Sequence, residues 1–123
     1  SNLTELSLVN NQITDVGVQK LAENLPKSKL TCLKLNYNEI TDDGIMKLAP
    51  QLPSSNLTEL NLGNNQIGDN GARKLAEHCP HSKLTSLLLY DTQIGDAWKR
   101  NLEHYLTNKN RKRIYVRIER RFT

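Results

Sequence analysis

Apolar positions recur along the chain at a fixed spacing of 27 residues, without insertions. Leu3, Leu30, Leu57 and Leu84 open four successive units, and each continues as L-x-x-L-x-L: Leu3-Leu6-Leu8, Leu30-Leu33-Leu35, Leu57-Leu60-Leu62 and Leu84-Leu87-Leu89. Ile13, Ile40, Ile67 and Ile94 follow, then Leu21, Leu48, Leu75 and Leu102, and last Leu25, Leu52, Cys79 and Leu106. Nineteen of the 20 leucines lie on five columns of this register, and Leu88 alone stands outside it.

Two periods alternate inside each unit. The L-x-L alternation sets both leucines on one side of a short strand and their neighbours on the other. Further on, Gly17, Leu21 and Leu25 are spaced by four, as on one face of a helix. Asp15, Asp42, Asp69 and Asp96 stand just before these stretches and are expected to cap the helices. Pro26, Pro53 and Pro80 follow the helices and forbid their continuation. Asn11, Asn38 and Asn65, with Thr92 in the fourth unit, sit where the chain leaves the strand. An amide there can donate to and accept from backbone groups of adjacent turns, forming a ladder.

Each unit is therefore strand, turn, helix and return, and none can bury its flanks alone. Stacking neighbours solves this, with parallel strands on one face and helices on the other. Helices are wider than strands, so the stack curves with the strands inside. The register extends into the tail: shifting Leu6 and Leu8 by 108 lands on Ile114 and Val116, inside an alternating stretch 113–118 that predicts a fifth strand. Arg111 stands where a leucine would open a full unit. The expected organisation is one domain over 1–123, with units 1–29, 30–56, 57–83 and 84–110 and a C-terminal capping strand in 111–123.

The pattern LxxLxLxxNxI followed by a helix resembles the leucine-rich repeat, in its longer ribonuclease-inhibitor-like type, known from ribonuclease inhibitors, NOD-like receptors and bacterial effectors. The resemblance covers residues 1–108 fully and 109–118 in part. It implies an α/β fold: a right-handed solenoid, a segment of a horseshoe, with a parallel sheet on the concave face and helices on the convex face. It implies little about specific function, since the same fold serves many roles. Two departures fall in the last complete unit, Thr92 for the asparagine and Trp98 for Gly17, Gly44 and Gly71. The glycine column suggests close packing between neighbouring units, and Trp98 is expected to cover the open end where no further helix follows.

Composition narrows the function. The longest apolar run, Leu87-Leu88-Leu89-Tyr90, is far short of the roughly 18 residues that a membrane-spanning helix needs, so no membrane role is expected. The net charge of +4 is uneven: residues 109–121 carry +6, through Lys109, Arg111, Lys112, Arg113, Arg117, Arg120 and Arg121 against Glu119, and the rest carries −2. A nucleic-acid reading rests on this tail alone. Charges on an edge strand also prevent unwanted pairing, so nucleic acid is disfavoured as a partner.

Chemistry finds little purchase. Cys32 points away from the core and Cys79 toward it, on opposite faces, so no disulfide forms between them. Free thiols suit a cytoplasmic setting, that of a host cell if the chain is an effector. The sequons Asn2-Leu3-Thr4 and Asn56-Leu57-Thr58 arise from the repeat itself. His78-Cys79-Pro80-His81 lacks further ligands at zinc spacing. No nucleophile elbow and no phosphate-cradling glycine loop occurs. Catalytic residues, metals and cofactors are accordingly expected to be absent.

The informative residues are those the repeat does not dictate. Beside the L-x-L leucines, on the concave surface, three columns are expected: Glu5, Cys32, Glu59, Ser86, Arg113; Ser7, Lys34, Asn61, Leu88, Tyr115; and Val9, Asn36, Gly63, Tyr90, Arg117. Leu88, Tyr90, Arg113, Tyr115 and Arg117 would then gather in one exposed corner with the composition of an interface hot spot, extended by Tyr37 and Lys34. A rival reading makes Leu88 and Tyr115 a shield for the last strand. The expected function is recognition of another protein without chemistry, in the C-terminal part of a larger protein. The alternatives are a sensing or autoinhibitory domain of a NOD-like receptor, or an effector. Ser1-Asn2-Leu3 repeats Ser55-Asn56-Leu57 with no polar cap before it, so the chain is expected to be a fragment, or to self-associate through that end.

Overall fold

A computed structural model describes residues 3–107 and 114–118 of the chain. Five strands, β1 (Glu5–Ser7), β2 (Cys32–Lys34), β3 (Glu59–Asn61), β4 (Ser86–Leu88) and β5 (Tyr115–Arg117), form one sheet in sequence order. Every neighbouring pair is parallel. Four helices connect them: α1 (Asp15–Asn24), α2 (Asp42–Leu48), α3 (Asp69–His78) and α4 (Asp96–Thr107). The register β1 to β4 is that of the 27-residue repeat, Leu6 beside Leu33, Leu60 and Leu87.

The leucine columns make the core between sheet and helices. Leu33, Leu60 and Leu87, Leu35, Leu62 and Leu89, Leu48, Leu75 and Leu102, and Cys79 in the leucine column, are fully buried. Their first-unit counterparts Leu6, Leu8 and Leu21 are only partly covered, and Leu3 is 51% exposed. The apolar end expected at that side of the stack is therefore visible on the surface.

The asparagine ladder forms as expected. Asn38 Nδ2 donates to the carbonyls of Leu8 and Leu35 at 2.9 and 3.0 Å, while its Oδ1 accepts from the backbone N–H of Asn11 and Ile13. Asn65 repeats this one unit on, donating to Leu35 and Leu62 and accepting from Ile40. Thr92 closes its own turn through a bond to the Leu89 carbonyl.

The aspartates act otherwise than expected. Thr14, Thr41 and Gly68 hold the cap positions, and each aspartate is the first helical residue. One position further in, its carboxylate favours the positive end of its own helix and also reaches the next unit. The N–H groups of Thr41, Gly68 and Gly95 donate to Asp15, Asp42 and Asp69 at 2.8, 2.7 and 2.8 Å. This second ladder explains the glycines. A Cβ on Gly44 would lie 2.5 Å from Asp15 Oδ1, and one on Gly71 2.6 Å from Asp42 Oδ1. Gly44 and Gly71 make room for the carboxylate of the preceding unit.

Each return passes through a tight 3-10 turn that contains the proline, at Leu25–Lys27, Ala49–Ser54 and Cys79–His81. Ser28, Ser55 and Ser82 then close it, their hydroxyls accepting from the N–H of Leu30, Leu57 and Leu84. The fourth unit has no such proline, and α4 is two residues longer than α3, running on to Thr107. β5 therefore pairs with an offset of 29 from β4, and Val116, not Ile114, joins the Leu87 column.

Candidate partner-binding site

That slip corrects the expected columns. A shift of two preserves the side of the sheet that each residue faces but moves it one place along. Tyr115, expected beside Leu88, stands beside Ser86, and Arg117, expected beside Tyr90, stands beside Leu88. The sheet face therefore carries Glu5, Cys32, Glu59, Ser86 and Tyr115 in one column, and Ser7, Lys34, Asn61, Leu88 and Arg117 in the next. Arg113 lies outside the described residues, as does the basic tail apart from Arg117.

Arg117 reaches Tyr90 nevertheless, along the diagonal, and its guanidinium lies 4.9 Å from the ring centroid. Such stacking is attractive because the ring face is negative. The Arg117 Nε is buried with no hydrogen-bond partner among the described residues. Tyr90 leans back over the preceding unit, where Gly63 occupies the equivalent position. A Cβ there would lie 2.5 Å from the ring. The phenol oxygen accepts from Asn36 Nδ2 at 3.3 Å and from Asn61 Nδ2 at 3.5 Å. Gly63, Asn36 and Asn61 are thus a cradle for Tyr90 that the sequence reading did not identify. The available signal was a glycine inside a strand column, which often marks a close approach.

Leu88 is half-buried between Asn61 and Arg117, and Tyr115 is 54% exposed. Lys34 is held by Glu5 across the strands at 3.6 Å. Tyr37 stands at the rim, 51% exposed, with a left-handed backbone at φ 61°. Asn10, Asn64 and Asp91 take the same conformation at φ 61°, 54° and 53°. Asn and Asp tolerate it and a tyrosine does so at a cost. The structure brings Leu88 on β4, Tyr90 just past it, and Tyr115 and Arg117 on β5 into one corner, with Lys34 and Tyr37 two strands away.

At the other end of the face, Cys32 lies between Glu59 and Glu5. Partial burial and these carboxylates hold its thiol above the ordinary range, helped by a thiol hydrogen bond to Glu59 and opposed by Lys34. Cys32 and Cys79 are both free. No group of three or more His, Cys, Asp or Glu side chains suited to a metal ion occurs among the described residues. No helix among them is long and apolar enough to cross a membrane.

Trp98 lies elsewhere than expected. Its column faces the preceding helix, so the indole enters the groove between α3 and α4 and lines a cleft of about 300 Å³ with Arg73, Ala76, Glu77 and Tyr105. The equivalent groove between α1 and α2, lined by Gln19, Ala22, Glu23, Lys47 and Gln51, is polar-walled and about 170 Å³.

A family model described as Leucine Rich repeat matches residues 1–22, 27–49 and 54–76, more than half of the chain. No curated protein matches it. Among solved structures, leiomodin-1 actin-binding site 2 is similar at 18% identity with a TM-score of 0.82, over 98% of this chain and 72% of that one. An internalin from Listeria monocytogenes is similar at 23% identity with a TM-score of 0.48, over 97% of this chain and 36% of that one.

Proposed function

Because the chain belongs to the leucine-rich repeat family, we propose that it is a recognition module that binds another protein on the inner face of its sheet and carries out no chemistry there. The observation that supports this reading is the corner of β4 and β5. Leu88, the one leucine outside the repeat columns, stands partly exposed with Tyr90, Tyr115 and Arg117 around it. Large aromatic, arginine and apolar side chains close together on an otherwise polar face are the composition of binding hot spots. The likeness to leiomodin-1, named as an actin-binding site, carries the fold; at 18% identity it does not carry actin to this chain.

Leu88→Arg tests the reading. A guanidinium at that point removes the apolar anchor and sets a second positive charge beside Arg117, so binding to an isolated protein partner is lost. The side chain is already partly in water, so the urea midpoint moves by no more than the equivalent of about 1 kcal/mol. A partner that binds the variant undiminished sinks this site. Service as the sensing domain of a NOD-like receptor, or within an effector, places the same face in a larger protein and leaves this test unchanged.

A further inference from the structure

We infer that the partner is an amphipathic helix lying across the strands, with a carboxylate over Arg117 and a cationic residue over Glu59, so that charge fixes its direction; this rests on the inner-face reading above. The inner face carries opposite charges two strands apart. On the first strands the Glu5 carboxylate is matched by Lys34 at 3.6 Å, which leaves Glu59 on β3 as the negative group. On β5 the positive group is Arg117, whose Nε is buried without a hydrogen-bond partner among the described residues. That atom is closed to a partner, but Arg117 as a whole is only half-buried, and a carboxylate laid against its accessible part would pair with the charge.

A helix meets the spacing of the two charges, and the width of the face matches it better than it does an extended strand. Strands lie about 4.8 Å apart and residues about 3.3 Å apart along them, so Glu59 and Arg117, two strands and two residues removed, are separated by roughly 12 Å at the backbone. Residues seven apart on a helix are separated by about 10.5 Å and point the same way, and the side chains take up the difference. The face between the two charges carries Leu88, which an apolar residue three or four places along the same helix would meet. Each strand is three residues long, about 10 Å, the width of a helix.

A library of helical hairpins with one randomised surface helix, displayed and selected against the purified chain, tests this. Recovered helices are expected to carry a basic and an acidic residue seven apart, with an apolar residue between, always in one order. Their affinity falls at least about tenfold on Glu59→Lys and on Arg117→Gln. The double variant Glu59→Lys with Arg117→Glu, checked for folding by circular dichroism, selects the reversed order. Helices lost on Leu88→Arg but indifferent to both charges overturn the charge alignment while upholding the inner-face site. Helices that bind Leu88→Arg unchanged overturn both, and an empty selection overturns the helix while leaving the inner-face site to its own test. Charged pairs at other spacings among binders lost on Leu88→Arg overturn the seven-residue alignment alone.

Discussion

The third and fourth units share their strand leucines and the aspartate that opens the helix, yet they differ wherever a neighbour's space is concerned. Gly63 becomes Tyr90, Asn61 becomes Leu88, Asn65 becomes Thr92 and Gly71 becomes Trp98. The large residues of the fourth unit lie back toward the third: Tyr90 rests on Gly63, and Trp98 enters the groove that α4 makes with α3. In the third unit a neighbour on each side sets the side-chain size, because the ladders and the packed core leave no slack. In the fourth, β5 is the element described beside it, and these columns are released from the glycine and asparagine pattern. The candidate site sits at that release.

The largest test of this contrast is the asparagine ladder. Asn65 is buried and bonds to backbone groups of both its own unit and the one before. Asn65→Ala strands several buried polar groups, and a loss of about 3 kcal/mol or more in urea unfolding is expected. Thr92→Ala removes one partly buried bond and should cost about 1 kcal/mol. Similar costs at the two positions would show that the fourth unit is bound as tightly as the third.

Next in size is the cradle. Gly63→Ala drives a methyl group into the Tyr90 ring, which must leave its two asparagine bonds and its stack with Arg117. A loss of about 2 kcal/mol is expected, and most of it should vanish when the change is made on a Tyr90→Ala background. Equal penalties on both backgrounds would mean that the ring does not rest on the glycine.

What was legible beforehand follows the same division. The leucine, isoleucine and asparagine columns are periodic because each does one job in every unit, and they predicted the sheet, its order and the ladder. The aspartates were visible too, but spacing within one unit could not reveal that the carboxylate serves the next one; only the pairing of Asp15 with Thr41 shows it. The tail misled by two residues, since a fixed offset cannot register the missing proline and the two extra residues of α4. Tyr90 was identified as an anchor, but its long reach to Asn36 joins residues 54 apart in the chain and leaves no periodic trace.

A smaller effect, of opposite sign, is expected at Tyr37. The turn demands a left-handed residue at each equivalent position, and asparagine or aspartate fills the other three. Tyr37→Asn should therefore stabilise the fold by about 0.5–1 kcal/mol. A strained, exposed aromatic is retained more readily where it makes contact with something else. If the partner uses this rim, the more stable variant binds it more weakly. A variant neither stabilised nor weakened in binding would remove Tyr37 from the site.

The smallest test concerns the acidic end of the sheet face. The Cys32 thiol is held above its ordinary range by burial first, then by Glu59 and Glu5, with Lys34 pulling the other way. Only the thiolate is alkylated, so the pH at which Cys32 reacts with iodoacetamide at half its limiting rate should lie above that of a free cysteine, while buried Cys79 stays silent. Glu59→Gln removes both a negative charge and a carboxylate that accepts from the thiol, so the midpoint should fall. Glu5→Gln should lower it less, because Lys34 already offsets that charge. The sign for stability follows from the same proton. The folded chain keeps it to higher pH than the unfolded chain does, so the contribution is complete below the unfolded pKa and is lost as pH rises through the folded one. Cys32→Ser should remove that part of the alkaline decline. An unmoved midpoint in Glu59→Gln would mean that Glu59 faces away from Cys32, and the negative pole of the sheet face would have to be sought elsewhere.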